Sequence, residues 1–353
     1  MFPYLLLCGF LLGHTLTAVV ATSNSDEQAL YESYSHMITN IKSAMLDSMR
    51  ASWEQGTALG SIIELSYPQY SVFGDTPFIS TGAIPISALH LALSAVVRQS
   101  SDGRLSQVIG DALDGAALDG ASAGSGVLLG SFTDPLRSAY WANASKAQLD
   151  FLLYKAPRTS TGAISHRIDS KQYWADGVYM GPPFIAYYGA VTQNQTLLQL
   201  AYDNCRLYRD ALLVPGPTGN LWAHIYSDDN KTFFDEGIWG TEILDGEFAA
   251  LTPQNLVPDY LTGGSPFGDA SSSAALSSVA YRASTLFPDH FPSNYTDVAA
   301  RIRDAVIGGV DELGVLSPVV DPLSFGVVGV LSTEGQAFAG MMFSAWRDWI
   351  CWD

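Results

Sequence analysis

Asp176 is the carboxylate in this sequence best placed for acid–base chemistry. It follows Tyr173 and Trp174 and precedes Tyr179 and Met180. A carboxyl packed against apolar groups resists ionisation, so it can hold a proton for donation where an ordinary aspartate cannot. The position equally suits a helix cap. Pro182 and Pro183 cannot sit inside a helix but fit its first turn. A helix carrying Phe184–Tyr188 should therefore start near Pro183, with Asp176 in the turn leading into it. On spacing alone both readings stand.

A second group lies at Asn220–Tyr226. Alternation along an extended segment would put Trp222, His224 and Tyr226 on one face, and Leu221, Ala223 and Ile225 on the other. Two aromatic rings flanking a histidine make a sugar subsite wall, and a protonated imidazole binds a carboxylate or relays a proton. A lone histidine is also often structural. Asp228, Asp229, Asp235 and Glu236 follow and read as solvated loop charges. There is no Gly-x-Ser-x-Gly elbow, His-Glu-x-x-His, phosphate-binding glycine loop or Cys/His cluster. The glycine-rich stretch Asp119–Gly124 has no strand before it and reads as a loop. No cofactor or metal is expected.

Helices must position these groups. Apolar residues recur at three- and four-residue spacing over 27–55: Leu30, Tyr34, Met37, Ile38, Ile41, Met45 and Met49. Further helical runs cover Ile86 to Val97, Asp203 to Leu213, Ala270 to Leu286, Tyr295 to Leu313 and Glu334 to Trp349. Asp134 and Pro135 look like the cap and first residue of a helix reaching about Lys155. Strand texture is clearest at Leu221 to Tyr226. About ten helices without a linker predict one all-α domain over 22–353. No fixed repeat marks a solenoid. Aromatic-rich loops favour a closed ring of helical hairpins, an (α/α)6 barrel, with a sugar site at one mouth.

Charge and cysteine content narrow the class. The chain of 353 residues has 35 acidic and 17 basic residues and a net charge of −18. That opposes nucleic-acid partners and anionic membrane surfaces. Residues 1–21 are nearly all apolar or small and read as a signal peptide cleaved after Ala18 or Ala21, so the protein is expected to be secreted. Sequons at Asn143, Asn194, Asn230 and Asn294 agree with that route. Cys205 and Cys351 remain after removal of the leader, either as one disulfide or as two buried thiols.

An ordered set of segments now resembles fungal members of glycoside hydrolase family 105, close to family 88. They are Gly162–Arg167, Trp174–Met180 with Pro182-Pro183-Phe184, Leu221-Trp222 and His224-Ile225, and Gly237–Thr241. Phe267–Ser271, Ser317–Pro322, Glu334–Phe338 and Ala345–Trp349 complete the set. The resemblance covers most of the mature chain. It implies an (α/α)6 barrel and hydrolysis of unsaturated glucuronyl or rhamnogalacturonyl oligosaccharides left by pectin-cleaving lyases. It implies Asp176 as the acid/base, His224 as an active-site histidine and Trp239 in a substrate-binding segment. Trp174, Tyr179, Met180 and Trp222 fall in the matching motifs, and Asp119 is the candidate for a second, earlier aspartate. An anionic substrate needs local cations in so acidic a protein, which His224, His166 or Arg167 could supply. The chain departs from the family after Thr241. Residues 242–266 carry Pro253, Pro258, Gly263, Gly264 and Pro266 where a helical hairpin belongs. The barrel is therefore expected to be incomplete there. That fits a splice or gene-model variant, the favoured case, or an inactive relative that binds carbohydrate without turning it over.

Overall fold

The computed structural model describes residues 18–74, 77, 83–107, 115–214, 221–241, 244–261 and 267–352, with the backbone alone described at 18–24, 235–241 and 325. Most of the expected leader lies outside these residues. Among the described residues, no helix is long and apolar enough to cross a membrane.

The helices are α1 (Ala18–Ser33), α2 (Ser35–Ser48), α3 (Ser52–Ser66), α4 (Ile86–Val97), α5 (Gly124–Thr133) and α6 (Ser138–Tyr154). The one-turn α7 (Gly177–Met180) follows, then α8 (Pro182–Val191), α9 (Gln195–Leu212), α10 (Leu244–Ala249), α11 (Ala270–Leu286), α12 (Ser293–Gly308) and α13 (Thr333–Ile350). The strands are short. β1 (Gln172–Trp174), β2 (Leu213–Val214), β3 (Leu221–Ser227) and β4 (Thr232–Thr241) form one antiparallel sheet around β3. β5 (Val257–Pro258) pairs with β6 (Gly268–Asp269), and β7 (Val319–Asp321) with β8 (Ser324–Gly329).

Five helices make an inner layer. α11 packs on α13, α13 on α3, α3 on the short helical turn ahead of α5, and α5 on α8. Their sequences explain the crowding. Gly56, Ala58 and Ser61 in α3, Gly124 and Gly126 in α5, Ala270, Ser273, Ala274 and Ser277 in α11, and Ala339 and Gly340 in α13 are all buried. Small side chains let backbones approach, and such helices bury nearly their whole circumference rather than one stripe. A β-carbon on Gly56 would overlap Ser122, so this position fixes how closely α3 meets the turn at Asp119–Ala123. Outside them, α2 packs on α13, α4 and α6 on α5, α9 on α8 and α12 on α11. The two-layered helical ring matches the expected architecture. Between α9 and α11 the chain supplies the β3–β4 hairpin, the six-residue α10 and the β5–β6 pair instead of a helical hairpin. The expected gap at 242–266 holds a short helix, a strand and turns, with 242–243 and 262–266 outside the described residues.

Several boundaries differ from expectation. The run over 27–55 is three helices, because the chain turns at Tyr34 and again at Met49–Ala51. α9 starts eight residues before Asp203: Asn194 caps it by accepting from Thr196 and Leu197 N–H. Asp134 caps nothing. It is buried, ends α5, and its Oδ2 accepts from Trp141 Nε1 (3.1 Å) and Arg137 Nε (2.8 Å), so α6 begins only at Ser138. The strands β4, β7 and β8 had no clear alternation to betray them.

The inner helices all direct their N-termini to one end. Asp269 accepts from Ser271 and Ser272 N–H at the start of α11 and from Val320 N of β7, and Ser332 accepts from Gly335 N at the start of α13. At the other side of the ring, Trp346 of α13 is fully buried. Its ring centre lies 5.4 Å from that of Tyr31, the Arg303 guanidinium sits 3.9 Å from its centre, and its Nε1 donates to Glu27 (2.8 Å). One side chain thus ties α1 and α12 to α13. Trp346→Ala should cost about 3–5 kcal/mol, as for other buried tryptophans, and Trp346→Phe less, read from the urea unfolding midpoint. Equal midpoints for Trp346→Ala and the parent would show that the contact contributes nothing.

Candidate active site

Asp176 comes to its place through a strand. β1 pairs with β3 in the register Tyr173↔Tyr226 and Trp174↔Ile225, and Ala175 N donates to the His224 carbonyl (2.8 Å). The chain then turns through Asp176 into α7, and Pro182 opens α8 as expected. Asp176 occupies the position ahead of α7 where a capping residue would sit, yet its side chain makes no cap hydrogen bond. Gly177 is required beside it: a β-carbon there would lie 2.8 Å from Tyr208 Cε1 and 3.1 Å from His166 Nδ1.

Two more groups converge on this turn. His166 is buried and hangs between two backbone bonds: its N–H donates to the Gln172 carbonyl (2.8 Å), and its carbonyl accepts from Ala117 N (2.6 Å). That brings it to Asp119, at the start of the turn after Leu118, with His166 Nε2 and Asp119 Oδ1 3.4 Å apart. Ligand atoms of Asp119, His166 and Asp176 all lie within 4.8 Å of one another. A cation could meet such a set. The same spacing suits protons passed among two carboxylates and an imidazole, and among the described residues no further histidine, cysteine or acid extends the set. Trp174 separates the two histidines. It stacks on His166 (4.7 Å between ring centres, 16° between planes) and meets His224 edge-on (5.6 Å, 76°). His224 is buried.

The electrostatics favour a protonated Asp176. Burial pushes its carboxyl above the ordinary carboxylate range; the positive charge of His224 and the N–H groups of Asp176 and Gly177 oppose this without cancelling it. Its Oδ1 is sealed from solvent and accepts no hydrogen bond. Burial also raises Tyr208, and the negative charges of Asp176 and Asp119 beside it raise it further.

The remaining expected residues fall in different places. Trp174 is half-buried. Tyr179 is largely exposed, with its hydroxyl near Gly60 of α3, and burial of that hydroxyl raises its pKa. Met180 is buried with Leu118 and Phe184. Trp222 is half-buried against the same cluster, and among the described residues its Nε1 has no hydrogen-bond partner. Tyr226 does not join His224 in one wall: it packs on Tyr173 (6.0 Å) and Phe233 (5.1 Å) in the core. Bulges where β3 meets β4 interrupt the simple alternation. Trp239 lies on β4, and its side chain falls outside the described residues, as do those of Asp235 and Glu236. Asp228 is not a solvated charge. It is buried and accepts from Ser160 N, Ser160 Oγ and Lys231 Nζ. Arg167 pairs with Asp169 (2.8 Å). Asn143, Asn194, Asn230 and Asn294 are all exposed. Cys205 and Cys351 are both free, and Cys351 is exposed, so neither the disulfide nor the buried pair of thiols forms.

Gln172 escaped the sequence reading. Its Oε1 accepts from Trp174 Nε1 (2.7 Å), and its carbonyl holds His166, so it orients both stacked rings. The two-residue spacing on β1 was the available signal, since it puts Gln172 and Trp174 on one face.

Residues 113–240 match Glycosyl Hydrolase Family 88. The matched stretch contains Asp119, His166, Asp176 and His224. The fold is similar to that of a possible family 105 glycoside hydrolase from Salmonella enterica serovar Paratyphi A, with a TM-score of 0.67 at 12% identity over 96% of this chain and 97% of the other. A possible family 105 member from Klebsiella pneumoniae gives 0.68 at 12% identity, covering 96% of each chain. A family 105 glycoside hydrolase from Clostridium acetobutylicum gives 0.64 at 13% identity, covering 87% of this chain and 99% of that one. At such identity these likenesses concern the fold. No curated protein matches the sequence. The helical ring is similar to that of family 105 structures, and the stretch through its site is similar to glycoside hydrolase family 88.

The raised pKa of Asp176 has a consequence for stability. A carboxyl whose pKa is higher in the folded than in the unfolded state weakens the fold once it is ionised, and that penalty fades as pH falls through the folded-state value. Asparagine carries no charge to bury. Asp176→Asn should therefore melt above the parent at about pH 8, with the difference closing toward about pH 4, where an ordinary aspartate is half protonated. Melting curves across that range check it, and a constant difference at all pH values would contradict the assigned shift.

Proposed function

We propose that this protein is a glycosidase that releases the terminal Δ4,5-unsaturated uronic acid from oligosaccharides made by polysaccharide lyases acting on pectin. The observation that carries the reading is Asp176: a carboxyl held above its ordinary pKa, with one oxygen unpaired, beside a buried His224 and an Asp119–His166 pair. The reaction needs such a group. The C4–C5 double bond of the unsaturated sugar is a vinyl ether, and its hydration begins with protonation at carbon, which demands a neutral acid near the reacting atom. Asp176 gives its proton to C4, and water adds at C5 and loses a proton. The resulting hemiketal opens and expels the rest of the chain as an alcohol. One water is consumed, and nothing is oxidised or reduced. His224 and His166, when protonated, offset the substrate carboxylate in an otherwise acidic protein. Trp174 offers a ring face to the sugar.

The test is the loss of ultraviolet absorbance of the unsaturated uronate when the protein meets lyase-digested pectin. Asp176→Asn should lower that rate at least ~10³-fold, since the remaining groups supply no proton at carbon, while the fold survives. Full activity in this variant would remove Asp176 from the role. A second reading has its own motivation in the stretch from Leu244 to Asp269, where a helical hairpin is replaced: a carbohydrate-binding relative without turnover. Binding of an unsaturated disaccharide by calorimetry with unchanged absorbance would select it.

We propose further that the protein is secreted as a glycoprotein. Exposure of all four sequon asparagines supports this, Asn194 included, whose Oδ1 caps α9 and leaves its Nδ2 for the sugar. Endoglycosidase treatment of protein from a eukaryotic secretory host should increase its gel mobility, and unchanged mobility would oppose the assignment.

A further inference from the structure

Helix α9 carries two buried polar side chains, one helical turn apart, that grip the same residue of another segment. Asn204 Oδ1 accepts from Ile164 N (2.8 Å), and Tyr208 Oη donates to the Ile164 carbonyl (2.7 Å). Asn204 in turn is fixed by its Nδ2, which donates to the Leu200 carbonyl (2.8 Å). Both side chains are about 98% buried or more, at 2% and 1% exposure. Ile164 lies two residues before His166. The Tyr208 ring does a second thing: its edge abuts the α-carbon of Gly177, the residue after Asp176, so closely that a β-carbon would lie 2.8 Å from Cε1. The His166 ring abuts the same α-carbon from its own side, at 3.1 Å from that β-carbon position. Tyr208 thus touches both the segment that carries His166 and the turn that carries Asp176.

We infer that Asn204 and Tyr208 are positioning residues: they set the separation of the Asp119–His166 pair from Asp176 and so the geometry of proton transfer. The inference rests on the reading of Asp176 as the proton donor. The physical ground is the sensitivity of such sites to placement, since an error of about 1 Å can cost on the order of 10²-fold in rate. A buried tyrosine hydroxyl bonded to a backbone carbonyl is a stiff spacer, because breaking the bond strands both groups away from water. Both residues are buried, so their loss should act on kcat more than on substrate affinity.

Tyr173 provides the control. It is equally buried, its ring lies 5.1 Å from that of Tyr208, and its hydroxyl bonds Thr159 and Thr161 (both 2.7 Å), away from the reacting groups. Tyr208→Phe and Tyr173→Phe each remove one buried hydroxyl from the same cluster. With an unsaturated disaccharide as substrate, Tyr208→Phe should lower kcat roughly tenfold or more with KM within about twofold, and should shift the acid limb of the pH–rate profile. Tyr173→Phe should leave both near the parent. Crystal structures of the two variants give a readout independent of activity. His166 Nε2 should move away from Asp119 Oδ1 in Tyr208→Phe and stay near 3.4 Å in Tyr173→Phe. If the parent turns over no unsaturated uronide, the functional reading fails, and the crystal structures still decide the positioning role. Unchanged His166 geometry, or equal kinetic effects in the two variants, overturns the inference. Should Tyr208→Phe not fold, Asn204→Ala breaks the other half of the grip and is judged by the same measurements.

Discussion

The site rests on keeping one carboxylate oxygen dry. Asp176 is half-buried, but its Oδ1 is cut off from water and unpaired, and the burial is opposed by the charge of the His224 imidazole and by the Asp176 and Gly177 N–H groups. Such burial works against folding unless the surroundings are too rigid to relax. The rigidity is visible. Asp176 is anchored on one side by β1, whose residues pair with β3 and whose following amide binds the His224 carbonyl. On the other side, Gly177 and Gly181 sit against Tyr208 and Leu118 with no room for a side chain. The turn cannot open toward water without undoing the strand or the start of α8.

That rigidity descends from the inner helices. α3, α5, α11 and α13 approach closely because glycine, alanine and serine face one another, and their N-termini gather at the end where Asp119 and Asp176 also lie. Each N-terminus carries a partial positive charge. In a chain with net charge −18 this is a local field of the opposite sign, short in range but fixed by the backbone. On the proposed function, that fixed positive field and the two histidines would offset an anionic substrate in a strongly acidic protein.

The helices with one apolar stripe could be read from the sequence because their periodicity survives in projection. α4 ends where the pattern ends. α5 could not, because Gly124–Thr133 is buried all round and has no stripe to show. The same holds at the site. Asp176, His224 and Trp174 stand out by type and neighbours. Asp119 and His166 do not, since what matters about them is that a bridge between Ala116 and Arg167 brings sequence-distant segments side by side. Gln172, Asn204 and Tyr208 act through hydrogen bonds to backbone groups, which leave no mark on residue type.

The stretch between α9 and α11 bears on function through the sheet rather than through the ring. β4 forms the far edge of the sheet that holds β1, and thus Asp176, in place. Its pairing with β3 is interrupted three times, which a flat two-stranded ribbon exposed to solvent would not tolerate well. Yet the core side of the sheet is intact: Tyr173, Ala223 and Ile225 are buried, and Tyr226 closes on Phe233. The short elements beyond β4 therefore border the outer edge of the sheet, while the inner edge, which joins the Asp176 turn to β3, keeps its packing. On this geometry the stretch after β4 bears on what borders the site more than on the acid.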